Sequence, residues 1–137
     1  MAFEKAGLTH TFAASTGLKQ FQAVAITGTN NRLINPTTEG NCIGILVSSG
    51  TTGSTGRAGS TDSGNDQTVQ LTGIAKVIAG TTTIDAGDLL KTAIDGRAST
   101  SGSTSYRFGI ALQAVDTTST AAQIITTILS PSYGNFA

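Results

Sequence analysis

No stretch of this chain carries apolar residues at the i, i+3, i+4, i+7 spacing of an amphipathic helix over three turns. Short β-branched and apolar runs recur instead, each bounded by Gly, Asn, Asp or Ser. That pattern predicts an all-β protein. Strands are expected over Lys19–Thr27, Arg32–Asn35, Cys42–Ser48, Gln67–Ala79, Asp88–Ile94, Arg97–Thr100, Tyr106–Ala114 and Ala121–Ser130. The expected fold is a compact small β-barrel or sandwich of about seven to nine short strands. In Val24-Ala25-Ile26 and Thr68-Val69-Gln70-Leu71 the large apolar residues lie two apart and share a sheet face. The run Gln123-Ile124-Ile125-Thr126-Thr127-Ile128-Leu129 breaks that period. It predicts a strand buried on both faces for part of its length, or a bulge.

The breaks between strands are specific. Asn30-Asn31 and Asp95-Gly96 supply residues that tolerate the positive φ of tight hairpin turns, and Asp85-Ala86-Gly87-Asp88 reads as a further turn. Asn30-Asn31-Arg32 and Asp95-Gly96-Arg97 lie 65 positions apart (97 minus 32), as do Gly44-Ile45 and Gly109-Ile110. Two readings follow: a duplicated β-hairpin unit giving a pseudo-symmetric barrel, or a simple meander that reuses ordinary turn chemistry.

With 137 residues the chain is expected to form one β domain over residues 18–137, preceded by an arm over residues 1–17. The segment Ser48–Gln67 has no large apolar residue and reads as a long Gly/Ser/Thr-rich surface loop. The arm carries Phe3, Leu8 and Phe12 among small and polar residues. Three large apolar side chains are wasteful in a frayed end, so they are the candidate partner-binding residues, docking on another chain by strand addition or by filling pockets.

Charged residues are 12% of the chain, against about 25% in an average soluble domain, and the formal net charge is zero. Little electrostatic repulsion keeps copies apart, which suits a protein that packs against neighbours. A nucleic-acid partner is not expected, because phosphate binding needs a positive field. No run approaches the roughly 18–20 apolar residues of a membrane-spanning helix, so no membrane partner is expected either. The N-terminal MAFEKAGLTHTFAAS lacks the basic and long apolar regions of a secretory signal, which points to a protein kept in the cytoplasm or built into something assembled there.

Catalytic and metal sites are not expected. His10 is the one histidine and Cys42 the one cysteine, 32 positions apart (42 minus 10), so no zinc cluster of ordinary spacing can be built and no internal disulfide exists. Cys42 lies in the apolar run Cys42-Ile43-Gly44-Ile45-Leu46-Val47 and reads as a small buried hydrophobe. Asp85 and Asp88 flank one turn, where carboxylates cap backbone donors. The glycine-rich run Gly50–Gly59 has neither the Gly-Lys-Ser/Thr ending nor the following helix of a phosphate loop. No cofactor is implied.

From Lys19 to about Leu129 the order of segments resembles the capsid decoration (cement) proteins of tailed phages. Phe21-Gln22-Ala23-Val24-Ala25-Ile26 looks like the family's opening strand, and Cys42-Ile43-Gly44-Ile45-Leu46 like its apolar-Gly-apolar-Leu strand. Gly73-Ile74-Ala75-Lys76-Val77 is similar to its central strand, Ile84-Asp85-Ala86-Gly87-Asp88-Leu89 to its I-x-A-G-D turn, and Asp95-Gly96-Arg97 to the turn after it. Gly109-Ile110-Ala111-Leu112-Gln113-Ala114 looks like its G-x-A-L-x-A strand. The resemblance implies a compact β fold, a homotrimer, and attachment to the outer surface of a virion head made in the host cytoplasm. The implied partner is the major capsid protein, whose subunits the trimer bridges against internal DNA pressure. The long Ser48–Gln67 loop departs from the family pattern. The alternative is a fibre, spike or adhesin-type component that uses this loop for recognition.

Overall fold

The computed structural model describes residues 5–14, 18–26, 32–36, 42–48, 66–80, 83–93, 95–100, 107–115 and 123–132. Every regular element among them is a β-strand. In chain order these are β1 (Lys5–Ala6), β2 (Thr9–Ala13), β3 (Ala23–Ile26), β4 (Leu33–Ile34), β5 (Gly44–Leu46) and β6 (Asp66–Gln70). They continue with β7 (Gly73–Ile78), β8 (Leu89–Thr92), β9 (Ala98–Thr100), β10 (Arg107–Ala111) and β11 (Ile124–Ser132). They form two antiparallel sheets, ordered β2-β6-β5-β3-β4 and β1-β7-β11-β10-β8-β9. The all-β, sandwich-like expectation holds. The strands are more numerous than expected because residues 5–13 supply two and the Gln67–Ala79 run supplies two.

That run divides because the chain changes sheets inside it. Gly73 sits at φ +95°, a left-handed conformation that glycine adopts without steric cost. Opposite it, β1 and β2 divide in the same way. Pairing stays in step from Lys5↔Ile74 and Ala6↔Gly73 to Thr9↔Gln70 and Ala13↔Asp66. One ribbon thus bends across the corner between the sheets. At the bend the Leu71 N–H donates to the Leu8 carbonyl at 2.8 Å, and the Leu8 N–H to Thr72 Oγ1 at 2.8 Å. A Cβ on Gly7 would lie 2.6 Å from the Thr72 carbonyl oxygen, so only glycine lets the two strands approach here.

The two sheets repeat one another. Strands β2, β3, β4, β5 and β6 recur as β7, β8, β9, β10 and β11, in the same sheet order. The registers recur too: Ile45↔Gln70 as Ile110↔Ile128, Thr9↔Gln70 as Ile74↔Ile128, and Ala25↔Ile34 as Lys91↔Ser99. A parallel bridge joins Ala14 to Leu33 in the first unit and Ala79 to Ala98 in the second, each residue 65 positions on (79 minus 14, 98 minus 33). These bridges bring the first and last strands of each five-stranded unit together at a single point. Neither sheet closes into a barrel.

The opening turns match as well. The Lys19 N–H donates to Gln22 Oε1 at 3.0 Å, and the Asp85 N–H to Asp88 Oδ2 at 2.8 Å. The Phe21 N–H donates to the Leu46 carbonyl and the Gly87 N–H to the Ala111 carbonyl, both at 2.7 Å. Of the two readings of the sequence repeat, duplication is the one realised. The duplicated unit is a whole five-stranded sheet and larger than a hairpin.

Each unit encloses its own core. Ala14, Leu18, Val24, Leu33, Leu46 and Val69 pack inside the first, with Phe12, Ile26, Ile43 and Leu71 at its margin. Their counterparts Ala79, Ile84, Leu90, Ala98 and Ala111 pack inside the second with Phe108, Ile125 and Leu129. Ala23, Cys42 and Ile45 belong to the second cluster although their strands belong to the first sheet. Successive residues Ile45 and Leu46 therefore enter different cores, as expected of a strand covered on both faces. Burying a side chain the size of Phe108 contributes about 1.5–3 kcal/mol.

Of the two readings of the run Gln123–Leu129, burial on both faces is the one realised: Ile125, Thr126 and Thr127 are all buried, and Ile124 to Leu129 pair with β7 in unbroken register. A bulge follows only beyond that run. Arg107 pairs with Ser132 and Gly109 with Leu129, so β11 advances three residues while β10 advances two. The extra residue falls at Ser130-Pro131, where a residue without an N–H costs the ladder nothing.

Candidate binding surface

Phe3 lies outside the described residues. Leu8 stands at the ribbon bend and is 61% exposed, beyond the reach of either core. Phe12 is half-buried against the first unit's core. His10 packs edge-on against it, with ring centroids 4.7 Å apart at 71°. The three residues proposed for the arm are therefore not equivalent. Phe12 helps hold β2 to its own sheet, whereas Leu8 presents an apolar side chain outward. Of the Ser48–Gln67 loop, residues 49–65 lie outside the described residues. At its ends the Ser48 hydroxyl donates to Gln67 Oε1 at 2.7 Å and accepts the Thr68 N–H at 3.0 Å.

Cys42, Asp88 and Asp95 serve the fold. Cys42 is buried, its Sγ 3.3 Å from the Gly44 carbonyl it donates to. Burial pushes its thiol up to about 12, the local hydrogen bonds opposing this only in part. A thiol so protected is a packing group, not a nucleophile. The Asp88 carboxylate caps its own turn. Asp95 accepts the Arg97 N–H at 3.1 Å and forms an exposed ion pair with Arg97 Nε at 3.3 Å. Among the described residues no three His, Cys, Asp or Glu side chains are grouped so as to hold a metal ion.

The surface that stands out is the outward face of the second sheet. Ile74 pairs with Ile128, Ile128 with Ile110, and Ile110 with Leu89, so four large apolar side chains form one row across β7, β11, β10 and β8. At about 4.8 Å between strands the row is on the order of 14 Å long. A second pair, Ile78↔Ile124, lies on the same face. Ile128 is 39% exposed and Ile124 41%. Lys76 lies between the two sets, its Nζ 5.6 Å from the centre of the Phe21 ring at the margin of the face.

The fold is similar to that of a phage head-fiber base. The crystal structure of the N base of head fiber gp8.5 in bacteriophage phi29 matches over 90% of this chain and 93% of that one, with a TM-score of 0.56 and 20% identity. No protein family and no curated protein matches the sequence. The likeness to the head-fiber base spans nearly all of both chains, so it takes in both five-stranded units.

Sequence reasoning missed the apolar row. A signal was present in Ile124-Ile125-Thr126-Thr127-Ile128-Leu129. Ile125 and Leu129 fill the core, which leaves Ile124 and Ile128 in the opposite phase. Apolar residues in the outward phase of an otherwise half-buried strand are the sequence sign of an exposed apolar face.

Proposed function

We propose that this chain is a structural protein of a bacteriophage head, fixed to the outer surface of the shell as a homotrimer. On this reading it is a decoration protein that bridges major capsid protein subunits and stabilises the shell against internal DNA pressure. The observation that carries the reading is the likeness, over nearly the whole of both chains, to the base of a phage head fiber. The segment-by-segment resemblance to capsid decoration proteins supports it independently.

The role is mechanical. A trimer that contacts several shell subunits at once turns modest single interfaces into strong attachment. Zero net charge imposes little repulsion on such packing. Of the two arm residues that the structure describes, Leu8 rather than Phe12 is presented for contact with the shell. A second reading, the base of a head-mounted fibre, is favoured by what the structural neighbour is, and differs only in what the attached base carries.

The test is co-sedimentation of the purified protein with expanded heads that lack it. Saturable binding is expected, weakened at least tenfold by Leu8→Asp. Removing residues 1–17 is the wrong experiment, since it strips β2 and Ala14 from the first core. Heads that sediment free of protein at all concentrations would falsify the reading. Electron microscopy of coated heads separates a smooth coat from projecting fibres.

A further inference from the structure

We propose that copies of this chain join head to tail, the outward face and Gly87 turn of the second unit of one copy docking on the β2 edge of the first unit of the next. The inference rests on the self-association part of the reading above, and on nothing about the head.

The same contact already exists once, inside the chain. The first unit presents a turn and an outward row. The Phe21 carbonyl accepts the Ile78 N–H at 2.9 Å, on the outer edge of β7, and the Ala23 N–H donates to the Gly96 carbonyl at 2.8 Å. Behind that turn, Ala23, Ile45 and Gln70 are buried, Ala23 and Ile45 with the second unit's core residues. One unit thus offers a turn and a row, and the next receives them with the outer edge of its first strand.

Register equivalence says what each remaining surface is. The second unit repeats the donor side. Its turn residue Gly87 matches Phe21, and Leu89, Ile110 and Ile128 match Ala23, Ile45 and Gln70. Here the donor side is uncovered. Gly87 is exposed with nothing within 4 Å of where its Cβ would be, and Ile128 is on the surface. The row is also more apolar than its buried counterpart, with Leu for Ala and Ile for Gln.

The first unit repeats the receiving side. Ala13 matches Ile78, since Ala13↔Asp66 recurs as Ile78↔Ile124. The Leu71-to-Leu8 hydrogen bond sets the ladder phase, which turns the N–H groups of Thr9, Thr11 and Ala13 to the outer edge of β2. Residues 7–13 carry no proline, lysine, aspartate or glutamate, the usual devices that keep an edge strand from pairing. Donor and receiver are different surfaces of one molecule, so the contact is heterologous and closes into a ring when the rotation permits.

The experiment is disulfide trapping in a Cys42→Ala background. Phe21 and Ile78 are joined by a backbone hydrogen bond, within the Cα separation a disulfide spans. Their equivalents across the new contact are Gly87 and Ala13. The double variant Ala13→Cys/Gly87→Cys should form covalent multimers on oxidation, seen on a non-reducing gel. Each single variant should stay a monomer on that gel, and the two singles mixed should give only a dimer. Phe21→Cys/Ile78→Cys should link within the chain without change of mass. Ala86→Cys replaces Gly87→Cys if the latter does not fold.

Ile128→Lys should shift the native protein to monomer in sedimentation, with its far-ultraviolet circular dichroism unchanged. Cross-linking of either single variant alone, or a wild-type protein that sediments as a monomer, overturns the proposal. An oligomer that forms but does not bind heads leaves it standing and removes the head reading instead.

Discussion

The Phe21 carbonyl accepts the Ile78 N–H at 2.9 Å from a backbone held at φ +65°. Phe21 is the only described residue other than glycine with positive φ. Its N–H donates to Leu46 of the first sheet while its carbonyl serves β7 of the second. The strained conformation therefore stitches the two units together, and its counterpart in the second unit is a glycine at φ +96°. Left-handed backbone costs an ordinary residue about 1–2 kcal/mol, a β-branched one more, and asparagine less. Phe21→Asn should be more stable than Phe21→Val by about 1 kcal/mol in urea denaturation. Equal stabilities would mean that strain at this position is not what the fold resists.

Gly44 and Gly109 should be intolerant of any side chain. A Cβ on Gly44 would collide with the Gln70 carbonyl, and one on Gly109 with the Ile128 carbonyl. Each is backbone of the facing strand and has no rotamer to yield. Gly44→Ala and Gly109→Ala should each cost about 1–3 kcal/mol, the range for overpacking a filled site. Gly87→Ala meets no neighbour and should cost only the strain of its φ, about 1 kcal/mol. Thermal unfolding of the three variants ranks them, and a Gly109→Ala as mild as Gly87→Ala would contradict the steric account.

Gln70 closes the ribbon corner from inside. Its buried amide donates to the carbonyls of Thr72 and Ile74, both at 3.0 Å. Gln70→Leu keeps the bulk but removes both amide hydrogen bonds that tie the corner. A loss of about 1–3 kcal/mol is expected in chemical denaturation.

Cys42 predicts a stability that declines in alkali. Its folded value of about 12 lies above the ordinary thiol value of 9.0. Below pH 9 both folded and unfolded chains keep the proton, and the thiol adds no pH dependence. Between about 9 and about 12 the unfolded chain loses the proton while the folded one keeps it, so stability falls as pH rises, by at most about 1.4 kcal/mol per pH unit. The measurement is the difference between wild type and Cys42→Ala across pH 9–11, which isolates the thiol. Parallel curves for the two proteins would show that the thiol is not buried in the folded state.

Much of the fold is legible in the residues. The β-branched runs, the absence of a helical stripe and the turn residues dictate strands, and each of the eight predicted runs overlaps at least one. Gly44-Ile45 and Gly109-Ile110 betray the duplication for a physical reason: at those two positions the facing carbonyl forbids any other residue, so the identity persists where most others have diverged.

Only the tertiary structure decides the rest. Alternation with period two tells which residues of a strand share a face, and says nothing of which face another layer will cover. Ile45 and Ile110 occupy the same place in the same repeated strand; the first is buried between the units and the second lies on an outward row. Nor does the run Gln67–Ala79 reveal that it serves two sheets until Gly73 is seen to turn the chain from one to the other. Local chemistry made the strands and turns. Burial is a relation between distant segments, and it alone distinguishes the covered face from the exposed one.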